Sequence, residues 1–172
     1  MTSGKNGTRT SDATVATMDQ VVPFGRLHRP AEVVSCPGVV LIHDVWGLSE
    51  HSRALAAKVA SQGFAVLEMN LYRSLAEPRV TDPGERIRSL DDGSVLADVD
   101  AAADWLAAEA VCRGRRIGVM GVCMGGTYGL LAACRSTRFA AAAPFYGLLS
   151  YDSGMLVGPQ GRDRLRKPAS PI

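Results

Sequence analysis

Apolar and polar positions alternate between two rhythms along this chain. From residue 38, "GVVLIHD" is a continuous apolar run that ends in polar residues, which suits a strand buried on both faces. "SEHSRALAAKVASQG" at 49–63 follows with a helical period. Ser49 fits an N-cap, Glu50 the first turn, Gly63 the stop, and Leu55, Ala56, Val59 and Ala60 the apolar face. "FAVLEM" at 64–69 predicts a second strand, and residues 70–93, with Pro78, Pro83, Gly84 and Gly93, an irregular stretch. "SVLADVDAAADWLAAEA" at 94–110 predicts a helix with Leu96, Val99, Ala103 and Leu106 on one stripe. "RRIGVM" at 115–120 reads as a strand, "GTYGLLAACR" at 126–135 as a helix and "FAAAAPFYG" at 139–147 as a strand. The order β-α-β-loop-α-β-α-β predicts an α/β fold, a mostly parallel sheet with helices on both faces.

The flanks carry less pattern. Residues 1–17 are polar and unpatterned, and disorder is expected there. Residues 18–37 are interrupted by Pro23, Pro30 and Pro37 and predict at most one weak strand. No element is predicted within 148–172. Residues 18–172 are therefore expected to form a single domain, and 172 residues suffice for one core.

Composition narrows the function classes. The chain is 47% apolar and 21% charged, an ordinary globular balance, and its net charge of +2 gives no ground for a nucleic-acid or membrane partner. No apolar run is long enough to span a bilayer, and the N-terminus lacks the apolar core of a secretory signal. Cys36, Cys112, Cys123 and Cys134 have no zinc-type spacing, so reduced thiols in a cytoplasmic protein, without metal or organic cofactor, are expected.

Three strand ends carry candidate chemistry: "HDVWG" at 43–47, "NLYR" at 70–73 and "GVCMGG" at 121–126. The last fits a nucleophile elbow, G-x-C-x-G. Gly121 and Gly125 make room for a tight strand-to-helix turn, and Cys123 projects outward. The following helix points free N–H groups and its positive dipole end at the sulfur. The Met124 N–H fits an oxyanion donor. The alternative is a small cysteine buried beside a glycine-rich turn. His43 reads as a packed or partly solvated residue, and His51 as solvated.

"PGVVLIHDVWGLSEHSRALAAKVASQGFAVLEMNLY", "GVCMGG" and "AAAPFYG" together resemble the dienelactone hydrolase family, over about residues 38–147. The resemblance implies the α/β-hydrolase fold and hydrolysis of a small-molecule carboxylic ester or lactone. It places the nucleophile on Cys123, an activating carboxylate on Asp44, a second oxyanion N–H on Val45 and an aromatic near the pocket on Trp46. A substrate-binding arginine falls on Arg86 or Arg88, and Tyr146 is either a pocket residue or a packed aromatic.

The resemblance also implies a triad acid and histidine after the nucleophile, yet no histidine lies beyond His51. The domain is therefore expected to lack its last strands and helices. A fragment of a hydrolase is the expectation, against a degenerate, inactive homologue acting in binding, or a chain completed by a partner. Without those last strands the 139–147 strand becomes an exposed edge through which copies could self-associate.

Overall fold

The computed structural model describes residues 16–74 and 82–148, excepting the side chains of Glu85 and Arg88. Six strands form one sheet in the order β1-β2-β4-β3-β5-β6. These are β1 (Thr17–Val22), β2 (Gly25–Pro30), β3 (Gly38–Ile42), β4 (Ala65–Met69), β5 (Ile117–Val122) and β6 (Phe139–Phe145). β4, β3, β5 and β6 run parallel, while β2 joins β1 and β4 antiparallel. The sheet is thus mostly parallel, as the alternating pattern predicts.

The helices are α1 (Glu50–Ala60), α2 (Pro83–Arg88), α3 (Asp92–Ala108) and α4 (Met124–Arg135). They cover both faces because successive strand residues point to opposite sides. Val40, Ile42, Leu67 and Val119 pack with Val99 and Leu106 of α3 and Tyr128 and Leu131 of α4. Leu41, Val66 and Val122 pack with Ala56 and Ala60 of α1. α1 starts in a capping box: Ser49 Oγ accepts the Ser52 N–H, and Ser52 Oγ accepts the Ser49 N–H. Leu96, Val99, Ala103 and Leu106 are all buried, as their stripe predicts.

The N-terminal region corrects the expectation of at most one strand in 18–37. It forms the two-stranded hairpin β1–β2, with Thr17 already in β1. Pro23 sits in the turn and Pro30 ends β2, so neither removes an interior ladder bond. The 70–93 stretch also holds an unexpected helix, α2. Asp82 Oδ1 accepts the Gly84 N–H at 2.7 Å, and Pro83 occupies the first helical position, where its missing N–H is harmless. α3 begins two residues before the predicted Ser94, with Asp91 as N-cap accepting the Ser94 N–H at 2.8 Å. Among the described residues β6 is an exposed edge of the sheet. The unpatterned stretch up to residue 15 and the tail from 149 lie outside the described residues.

Candidate active site

β5 runs into α4 through Cys123 alone. Its backbone lies at φ 55°, ψ −121°, a region where an L side chain is strained by about 1–3 kcal/mol. A side chain at Gly121 would collide with the Gly125 carbonyl. One at Gly125 would meet the carbonyls of Ile42 and His43, at the end of β3. The glycines therefore let α4 start against two neighbouring strand ends. The Cys123 N–H donates to the Phe145 carbonyl at 3.0 Å, and its own carbonyl accepts from Gly126 and Thr127 at 2.9 and 3.2 Å. The side chain is exposed, whereas Cys36 and Cys112 are buried. Cys123 is thus not the buried turn cysteine that the local sequence left open.

The end of β3 supplies Asp44. Its Oδ1 accepts the Trp46 N–H at 2.8 Å, and its backbone carbonyl accepts the Gly47 N–H at 3.3 Å, closing a tight turn. His43 is wholly buried. Its Nε2 accepts the Leu71 N–H at 3.1 Å and its Nδ1 lies 2.5 Å from the Asp44 carbonyl. Burial pushes its basicity down, against the opposing pull of the Asp44 carbonyl. Among the described residues, the Val45 N–H and the Met124 N–H meet no acceptor.

The end of β4 adds Tyr72. Its hydroxyl donates to the Val45 carbonyl at 3.0 Å and lies 3.8 Å from Met124 Sδ. Burial pushes its phenol up to about 12; Arg86 opposes the shift, while Asp44 and Cys123 add to it. Arg86, from α2, stacks its guanidinium 5.7 Å from the centre of the Tyr72 ring and donates to the Trp46 carbonyl at 3.2 Å. Asp44, Val45, Trp46, Tyr72, Arg86, Cys123 and Met124 thus converge. The side chain of Arg88 lies outside the described residues. Trp46 and Tyr146 are 59% and 71% exposed, so Tyr146 is not a packed aromatic; it directly follows Phe145, whose carbonyl holds the elbow.

The family model for the dienelactone hydrolase family matches residues 24–163. The chain belongs to the dienelactone hydrolase family. A Bradyrhizobium relative named "Probable 2-oxo-3-(5-oxofuran-2-ylidene)propanoate lactonase" is 35% identical over 130 residues, covering 74% of this chain and 52% of that one. A carboxymethylenebutenolidase of Rhodococcus opacus is 31% identical over 116 residues, covering 64% and 44%. A crystal structure from Klebsiella pneumoniae, assigned by name to the dienelactone hydrolases, superposes with a TM-score of 0.72 at 24% identity, covering 82% and 63%. The fold is that of the α/β hydrolases. The chain spans about half the length of the curated relatives it matches.

This dienelactone hydrolase family member also carries a buried polar network under the 44–49 loop. Glu68, on β4, meets His28 Nε2 at 3.0 Å and accepts from Ser52 Oγ at 2.6 Å. Burial alone would raise its carboxyl, but His28 and Ser52 outweigh burial and hold it below the ordinary glutamate value. Sequence reasoning marked 70–73 as a strand end without singling out Tyr72, and it missed Glu68 and Ser52. Only the strand-end rule could have found Tyr72; Glu68 and His28 are 40 residues apart and meet only through strand pairing.

Among the described residues, no group of three or more His, Cys, Asp or Glu is placed to hold a metal ion. No helix of these residues is long and apolar enough to cross a membrane.

Proposed function

We propose that this chain attacks a carboxylic ester or lactone through the sulfur of Cys123. The observation that supports this reading is an exposed cysteine with strained backbone at the β5–α4 turn, beside the end of β3, where the Val45 and Met124 N–H groups meet no acceptor among the described residues. Asp44 is the base that takes the thiol proton. The sulfur adds to the substrate carbonyl, and the developing oxyanion is met by the two amides. The carbon–oxygen bond then breaks, and the proton returns from Asp44 to the departing oxygen, leaving a thioester on Cys123.

Arg86, held over Tyr72, supplies positive charge for a substrate carboxylate, and Trp46 and Tyr146 line the approach. The lactone class is carried over from the name of the Bradyrhizobium relative.

Hydrolysis of the thioester needs a base for water. His28 and His43 are buried and committed to internal hydrogen bonds, and His51 is exposed on α1. Among the described residues no histidine is available for this step and it rests on Asp44 alone, so acylation outruns deacylation in this reading. This favours a second reading, in which the chain binds and acylates without sustained turnover.

The test is nitrophenyl acetate under pre-steady-state conditions. A burst of about one nitrophenolate per chain, abolished in Cys123→Ala, supports the proposal. A steady rate that Cys123→Ala leaves intact rejects it.

A further inference from the structure

His43 is a buried titratable group that the chemistry above does not use, yet both of its ring nitrogens are engaged. The Leu71 N–H can only donate, so Nε2 carries the lone pair and Nδ1 carries the proton. That proton is what the Asp44 carbonyl, 2.5 Å away, requires. The two bonds therefore specify one neutral tautomer. They also fix the ring plane, since the segment after β4 and the loop after β3 each hold one ring nitrogen. The Tyr72 ring, tilted by 39° with its centre 5.0 Å away, packs against it.

The consequence runs through a planar peptide. In a trans unit the carbonyl of Asp44 and the N–H of Val45 point in opposite directions. Pinning the carbonyl toward His43 turns the Val45 N–H away from it. The next peptide is held as well, because Tyr72 Oη donates to the Val45 carbonyl. We propose that His43 is a positioning residue: by holding the Asp44 carbonyl between the ends of β3 and β4, it pre-orients the Val45 amide as an oxyanion donor. This rests on the reading of Val45 in the preceding subsection. A peptide free to rotate would present a carbonyl where the developing charge needs a donor.

The experiment uses the full chain and compares two reactions of Cys123. Acylation by nitrophenyl acetate passes through an oxyanion, whereas alkylation by iodoacetamide does not. His43→Leu removes both bonds, and acylation is expected to slow about tenfold or more, since loss of one oxyanion donor typically slows catalysis by about 100–1,000-fold. Alkylation is expected to stay within about twofold, because the Cys123 elbow is built by other residues. His43→Gln, with one donor and one acceptor, is expected to recover most of the acylation rate. Equal slowing of both reactions, or of neither, overturns the proposal.

Nitrogen-15 NMR of His43 in the wild-type chain tests the same bonds and needs neither activity nor a variant that folds. A proton on Nδ1 with a bare Nε2 is expected; a proton on Nε2 overturns the proposal. If the wild-type chain does not acylate at all, the ester-hydrolase reading falls, and with it this role for His43, whereas normal acylation with the wrong tautomer removes only the role of His43.

Discussion

Tyr72 donates its hydroxyl to the Val45 carbonyl at 3.0 Å, tying the end of β4 to the loop that follows β3. This bond holds one side of the candidate oxyanion site. Tyr72→Phe keeps the ring under Arg86 but removes the donor. A destabilisation of about 1 kcal/mol is expected, together with acylation slowed roughly threefold to tenfold. Denaturant melts and nitrophenolate bursts measure the two effects separately. Because the folded phenol sits near 12, above its ordinary value of 10.0, the sign of its pH dependence follows. Its contribution to stability is whole below pH 10 and declines as pH rises toward 12. The ultraviolet tyrosinate band should show this residue titrating late, and its loss from the late component in Tyr72→Phe assigns it.

The four thiols should differ in reactivity. Cys123 is exposed, Cys134 half-buried, and Cys36 and Cys112 buried. Burial raises both buried thiols, Cys112 to about 12. Mass mapping after brief iodoacetamide treatment should find Cys123 modified first, with Cys36 and Cys112 protected until the chain unfolds. Labelling at equal rates would place the elbow cysteine in the core.

The elbow strain predicts an unusual stabilisation. At φ 55° a glycine is relaxed where a cysteine is not. Cys123→Gly should raise stability by about 1 kcal/mol while abolishing acylation. Gly125→Ala should do the opposite, because its side chain meets the Ile42 and His43 carbonyls. A loss of about 3 kcal/mol or more is expected there, read from thermal melts.

Glu68 gives an acid-side prediction. Its carboxyl lies below the ordinary 4.5 in the folded chain, so its contribution is present above that value and is lost as pH falls through the lower folded one. Glu68→Gln should flatten the decline in stability as pH falls below 4.5. An unchanged slope would mean that other carboxylates set it.

The strands β3, β4 and β5 and the elbow were legible because continuous apolar runs and glycine spacing report directly on a buried parallel sheet and a tight turn. β1 was not legible: it is exposed along nearly its whole length, so no alternation marks it. The prolines that argued against a hairpin lie in its turn and at its end. Pro83, read as a breaker, starts α2. At the site, Cys123 and Met124 are candidates from the elbow motif, and Asp44, Val45 and Arg86, one of two arginines, from the family resemblance. Tyr72, and the tautomer of His43, depend on hydrogen bonds between segments 27–28 residues apart, which no local pattern carries.

The proposed chemistry leaves a covalent acyl group on Cys123. Intact-mass measurement of the full chain after a brief pulse of nitrophenyl acetate, followed by peptide mapping, tests it most directly. One acetyl adduct of about 42 Da is expected, located on Cys123, missing from Cys123→Ala, and lost only slowly because no histidine of the described residues is free to assist Asp44 in activating water. An unmodified Cys123, with the adduct spread over lysines or on Cys134, would contradict it.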